Sequence, residues 1–312
     1  MPFKLNRLLP FIAFAIFLGG FVASPSHAQQ VLQVRWPSKN TAPPVSFRDI
    51  DPQFVGPLRM GLAMMSEESL ISAALAQGDS FGLRASDSKK LDTLFSNYYS
   101  RLRQNPAFKK APSALAYCAS ERKQTEGLAT VHVPAKITRD TKTILFLHGE
   151  GGSLLAYLYF LSTTYPNSII ICPAYGVTPS KVPLAYVLEA EKAVATRLKT
   201  QLNKPLLIGL GDGGSNACRL YTQKPDAAHG VICLGAFAPI ECMKQLNKSL
   251  SMHFLVGGKE SYAGSGAFKR QMLAIKSHIK TLDWQTIPNA DEFFLLTHES
   301  ESRKILLQWE NR

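Results

Sequence analysis

Glycines, acids and hydroxyls crowd two short stretches of this 312-residue chain. One is Gly209-Leu210-Gly211-Asp212-Gly213-Gly214-Ser215, which ends the apolar run Leu206-Leu207-Ile208. The other is His148-Gly149-Glu150-Gly151-Gly152, which ends the run from Thr143 to Leu147. Glycine runs of this kind bring backbone N–H groups close to a bound group, because no Cβ obstructs the approach. Further along, Glu260 follows the apolar run 252–257, and Glu292 and His298 lie within and after the segment Asn289-Ala290-Asp291-Glu292-Phe293-Phe294. Acyl transfer needs an oxygen or sulfur nucleophile, a base near neutral pH, a group orienting that base, and donors for the developing oxyanion. Ser215 and Cys218 are the nucleophile-bearing residues beside the first glycine cluster, and His148 and His298 are the imidazoles near these landmarks. Ser215 reads as a first-turn helix hydroxyl bonded to backbone. Cys218, about one turn further, reads as a packing residue. His148 reads as the satisfied histidine of a strand end, and His298 as a residue at the start of the last helix. Glu150, Asp212, Glu260 and Glu292 are four acids that would bind a cation or amine if they converged on one cavity. No metal-ligand spacing occurs, and neither a metal nor a cofactor is expected. Asp212, at the start of a helix, would interact favourably with its dipole.

The elements that must position these groups follow from pattern. From about residue 114, apolar runs alternate with segments of helical period. Strands are expected at 114–121, 127–134, 143–149, 168–176, 205–210, 230–235, 252–257 and 282–287, the first two as an antiparallel pair. Helices are expected at 153–164, 182–202, 213–223, 266–279 and 298–309, with an irregular or helical piece up to about 249. Such alternation predicts a mainly parallel sheet covered by helices on both faces. Ahead of it, 57–77 and 88–104 suit helices, and Leu91, Leu94, Phe95, Tyr98 and Leu102 make an apolar stripe on the second. Residues 29–56 read as an extended leader or linker, so 29–113 form a linker and helical N-terminal segment before a domain at 114–312.

Residues 1–28 read as a secretory signal peptide: Lys4 and Arg7, an apolar stretch from Leu8 to Ala23, then Ser26-His27-Ala28 before Gln29. The expected location is the periplasm or the exterior, with no membrane span after cleavage. The formal charge of +12 is dispersed rather than gathered in a run, which argues against a nucleic-acid binder and leaves an anionic surface as a possible partner. Five cysteines, Cys118, Cys172, Cys218, Cys233 and Cys242, cannot all pair with one another, and no C-x-x-C is present.

Gly209–Gly213 fits the frame of the G-x-S-x-G nucleophile elbow, on a strand-to-helix turn, and the chain from 114 to 310 resembles the α/β-hydrolase superfamily. The loop His148–Gly152 looks like that family's oxyanion loop. The resemblance implies an α/β-hydrolase-like fold with the nucleophile position at Gly211, the acid position at Glu260 and the base position at Glu292. Gly211 brings no lone pair and Glu292 no imidazole. The chain is similar in this to exported hydrolase-like bacterial proteins whose elbow lacks the serine. The implied function is a degenerate, non-catalytic or ligand-binding site for a small molecule or an envelope component. The alternative is an esterase or lipase-like ester hydrolase using Ser215 and His298.

Overall fold

The computed structural model describes residues 28–41, 52–77, 85–177, 181–246 and 248–310. All but the last residue of the segment read as a signal peptide lies outside them. The chain opens with strand β1 (Gln30–Pro37), followed by helices α1 (Pro52–Met64), α2 (Glu67–Ala76) and α3 (Ala85–Gln104) and a single turn, α4 (Leu115–Cys118). Next come β2 (Glu126–Val133), β3 (Thr143–Leu147), α5 (Leu155–Thr164), β4 (Ile169–Ala174), α6 (Leu184–Leu198), β5 (Leu206–Leu210) and α7 (Asp212–Gln223). The chain continues through β6 (Gly230–Leu234), α8 (Ile240–Met243), β7 (Ser251–Gly257), α9 (Ser261–Gly264), α10 (Ala267–Lys276), β8 (Thr281–Ile287), α11 (Phe294–Thr297) and α12 (Glu299–Glu310). One eight-stranded sheet runs in the order β1-β2-β4-β3-β5-β6-β7-β8. Strand β2 is antiparallel to both β1 and β4, and every other pair is parallel.

Side chains alternate across each strand, so successive residues of one apolar run feed two cores. Leu145, Leu147, Leu207, Val231 and Cys233 pack on one face with Val187 and Val194 of α6, Ala217 and Tyr221 of α7, and Met272 of α10. Ile144, Phe146, Ile208, Ile232 and Leu234 pack on the other with Phe95, Tyr98 and Leu102 of α3, Leu158 of α5, and Leu306 of α12. The expected class therefore holds: a mainly parallel sheet with helices on both faces. The stripe read on α3 is the surface by which this N-terminal helix joins the second core, Tyr98 edge-on to Tyr159 of α5 and Phe95 edge-on to Phe293.

Three local expectations are corrected. Residues 115–118 form a helical turn instead of a strand, and Cys118 is buried in it. The antiparallel neighbours of β2 are β4 and β1, the latter from the stretch read as a leader, with Val34 and Trp36 turned inward. The segment 57–77 is two helices, broken at Met65 and Ser66; the Ser66 hydroxyl accepts the Ser69 N–H and starts α2 afresh.

Candidate functional site

Strand β5 delivers Gly211 to the turn into α7, with φ 55° and ψ −123°. A side chain adopts that backbone only under strain. The turn is fixed from both sides. The Gly211 N–H donates to Leu234 O of β6 at 2.8 Å, and its carbonyl accepts the N–H groups of Gly214 (2.9 Å) and Ser215 (3.2 Å). The neighbouring glycines are set by packing. A Cβ on Gly213 would lie 2.0 Å from Leu147 O, one on Gly209 2.1 Å from Gly213 O, and one on Gly149 2.6 Å from Leu210 O. These contacts press the β5–α7 turn against the end of β3. Gly211 differs from them: a Cβ there meets nothing nearer than Gly149 Cα, 4.0 Å away. The turn thus has room for a side chain and carries none.

The loop after β3 lies alongside. The His148 ring is buried and stacked on Tyr175, with centroids 3.7 Å apart. The Tyr175 N–H donates to its Nε2 at 3.2 Å, so Nε2 is the acceptor and Nδ1 carries the proton, donated to Gly149 O at 2.9 Å. Burial lowers the pKa of His148 to about 4, against the backbone bonds that would raise it, so the ring is neutral at physiological pH. Beyond it, Gly151 and Gly152 have φ of 82° and 95°, Gly151 N donates to Val177 O at 3.0 Å, and Gly152 packs against Leu115, Cys118 and Val177. Glu150 is exposed.

The acids are spread around these turns. Glu260 caps the end of β7; its Oε1 accepts the Gly257 N–H at 2.6 Å, and its carboxylate faces Gly235, the φ 56° bend after β6. Since Gly211 bonds Leu234, Glu260 stands beside the strand next to the Gly211 turn. Asp212 is half-buried, and its charge adds to burial in raising the Tyr175 hydroxyl well above its ordinary value. Glu292 is exposed; burial first, then the Glu292 charge, raises the Tyr157 hydroxyl of α5 to about 12. Among the described residues, no group of three or more His, Cys, Asp or Glu side chains is placed to hold a metal.

Ser215 and His298 have separate partners. The Ser215 hydroxyl donates to Phe237 O at 3.2 Å, and His298 Nδ1 lies 3.0 Å from the Thr297 hydroxyl, between α11 and α12. Among the described residues no hydrogen bond joins Ser215 to His298. Cys218 is fully buried in α7, its thiol in contact with those of Cys233 and Cys242. All five cysteines are unpaired and buried.

Two features of the region had no signature in the sequence. Tyr175, one residue past β4, orders His148 by its N–H, by its ring and by a 2.5 Å bond from its hydroxyl to His148 O. Glu67 of α2 reaches the start of α5, where its Oε1 accepts the Leu155 N–H at 2.6 Å.

No protein-family model matches the chain, and no curated protein matches its sequence. Several solved structures resemble it in part. A predicted CIB-like hydrolase from Thermoplasma acidophilum is 12% identical, covering 59% of this chain and 91% of its own, with a TM-score of 0.47. Est1E from Butyrivibrio proteoclasticus is 14% identical over 60% of this chain and 96% of its own, with a TM-score of 0.44. The 2-hydroxy-6-oxo-6-phenylhexa-2,4-dienoate hydrolase of Rhodococcus sp. strain RHA1 is 10% identical over 60% of this chain and 95% of its own, with a TM-score of 0.45.

Proposed function

We propose that this is an exported protein of α/β-hydrolase-like fold that works by binding a small molecule or an envelope component, its serine mechanism lost. The site would lie at the carboxyl ends of the strands, between the loop after β3 and the β5–α7 turn. One observation carries the reading: Gly211 holds a strand-to-helix turn whose backbone would strain any other residue, with open space where a side chain would project, and offers no nucleophile. In this reading Gly211 is the vacant nucleophile position, Glu260 the acid position and Glu292 the base position. Further support comes from Ser215, whose hydroxyl is engaged with Phe237 O.

The mature protein is to be assayed with short-chain nitrophenyl esters and labelled with a serine-reactive phosphonate. No turnover and no label are expected. Turnover abolished by Ser215→Ala would replace this reading with the esterase using Ser215 and His298. Gly211→Ser is expected to remain a poor esterase, because Glu292 supplies no imidazole; efficient turnover by that variant would refute the placement of the base. A thermal-shift screen of lipids, glycans and cations is expected to find a stabilising ligand, and Gly211→Trp, which fills the open space, to abolish that shift.

A further inference from the structure

Helix α5 begins directly after the glycine loop, and its N-cap residue, Leu154, supplies no side-chain cap. The first N–H groups of a helix have no partner within it and need one from elsewhere. Here the partner comes from 88 residues upstream. Glu67, at 5% exposure, is the one buried carboxylate among the described residues. Besides the Leu155 N–H it accepts the hydroxyls of Tyr99 on α3 and of Ser113, the latter at 2.5 Å. Three donors from three parts of the chain therefore close on one carboxylate at a helix N-terminus, where negative charge is favoured. The loop is held from a second direction by the same N-terminal segment, since Leu115 and Cys118 of α4 pack on Gly152.

We propose that Glu67 is a positioning residue, by which the N-terminal helices cap α5 and set the shape of the loop 149–154. Residues 67–77 and 85–118 then belong to the site rather than standing beside it. This goes beyond the ligand-binding reading and stands or falls without it, because its test needs no ligand. Other titratable groups about the carboxylate are Tyr99, Cys118 and, through Tyr99, Tyr157; burial holds all three neutral at ordinary pH. Burial also raises the pKa of Glu67, while its hydrogen bonds oppose that rise.

Hydrogen exchange of the full mature chain, followed by mass spectrometry, tests the inference. In Glu67→Ala, peptides covering 150–158 are expected to exchange about tenfold faster or more, while β5 and β6 keep the rates of the unaltered protein. Glu67→Gln, which keeps an acceptor for the α5 N–H groups, is expected to restore most of the protection. Millimolar formate is expected to slow exchange in Glu67→Ala and to leave the unaltered protein unchanged. Unchanged exchange at 150–158 in Glu67→Ala would overturn the proposal, and so would acceleration spread evenly over the sheet, or no recovery with either glutamine or formate. Should Glu67→Ala fail to fold, Tyr99→Phe and Ser113→Ala replace it: local acceleration at 150–158 in both supports the proposal, and unchanged exchange in both refutes it.

Discussion

Two glycines two residues apart are expected to respond to the same substitution in opposite ways. A methyl group on Gly211 enters open space, its nearest neighbour 4.0 Å away, so its cost is backbone strain alone at φ 55°. That strain is about 1–3 kcal/mol. A methyl group on Gly213 lands 2.0 Å from Leu147 O and 2.4 Å from His148 O, more than an ångström inside ordinary contact and against backbone that has no rotamer to yield. Helix α7 must then move off β3, with loss of the contacts that Ala217 and Tyr221 make in the core on that face. A cost above about 4 kcal/mol is expected, a large part of the whole stability of an ordinary domain. Urea unfolding followed by the fluorescence of the three tryptophans measures both. Gly211→Ala should shift the midpoint modestly, and Gly213→Ala should unfold in little urea or accumulate poorly. Equal losses in the two variants, or a Gly213→Ala protein within about 1 kcal/mol of the unaltered one, would refute the account of the turn.

Three further outcomes follow. His148 has a folded pKa of about 4, below its unfolded value of 6.5. The unfolded chain therefore binds the proton more tightly, and stability falls as pH drops from 6.5 toward 4, by about 3 kcal/mol at the lower end; in His148→Gln, unfolding at pH 7.5 and 4.5 should differ by correspondingly less. Glu189 of α6 accepts hydrogen bonds from Trp36 Nε1, the Ser38 hydroxyl and Asn40 Nδ2, so Glu189→Ala should cost about 1–3 kcal/mol and speed amide exchange in β1 ahead of the other strands. Gly127→Ala would put a methyl group 2.1 Å from the Trp36 ring and should raise exchange in the same strand, without affecting β7 and β8.

The central strands could be read directly because each is a short apolar run closed by glycine or proline and buried on both faces, so local sequence carries the whole signal. The glycine turns were legible for a related reason: Gly209 and Gly213 are demanded by backbone contacts that any strand-to-helix turn of this tightness makes. β1 escaped because its partner, β2, lies some ninety positions on, and only Val34 and Trp36 of its eight residues are buried. The break at Ser66 escaped because the apolar period continues across it, and α4 because four residues are too few to show a period. Glu67 was hidden most completely. A Ser-Glu-Glu sequence is what an exposed helix start looks like, and its burial is decided by where α3 and α5 come to lie.

The position of β1 fixes an order of events during synthesis. It precedes the other described elements, yet its backbone stays unmatched until residues 126–133 exist, and its side-chain anchor waits for Glu189. While the intervening residues, 38–125, are being made, this leading ribbon has no native neighbour to join, so its pairing closes the sheet's edge late.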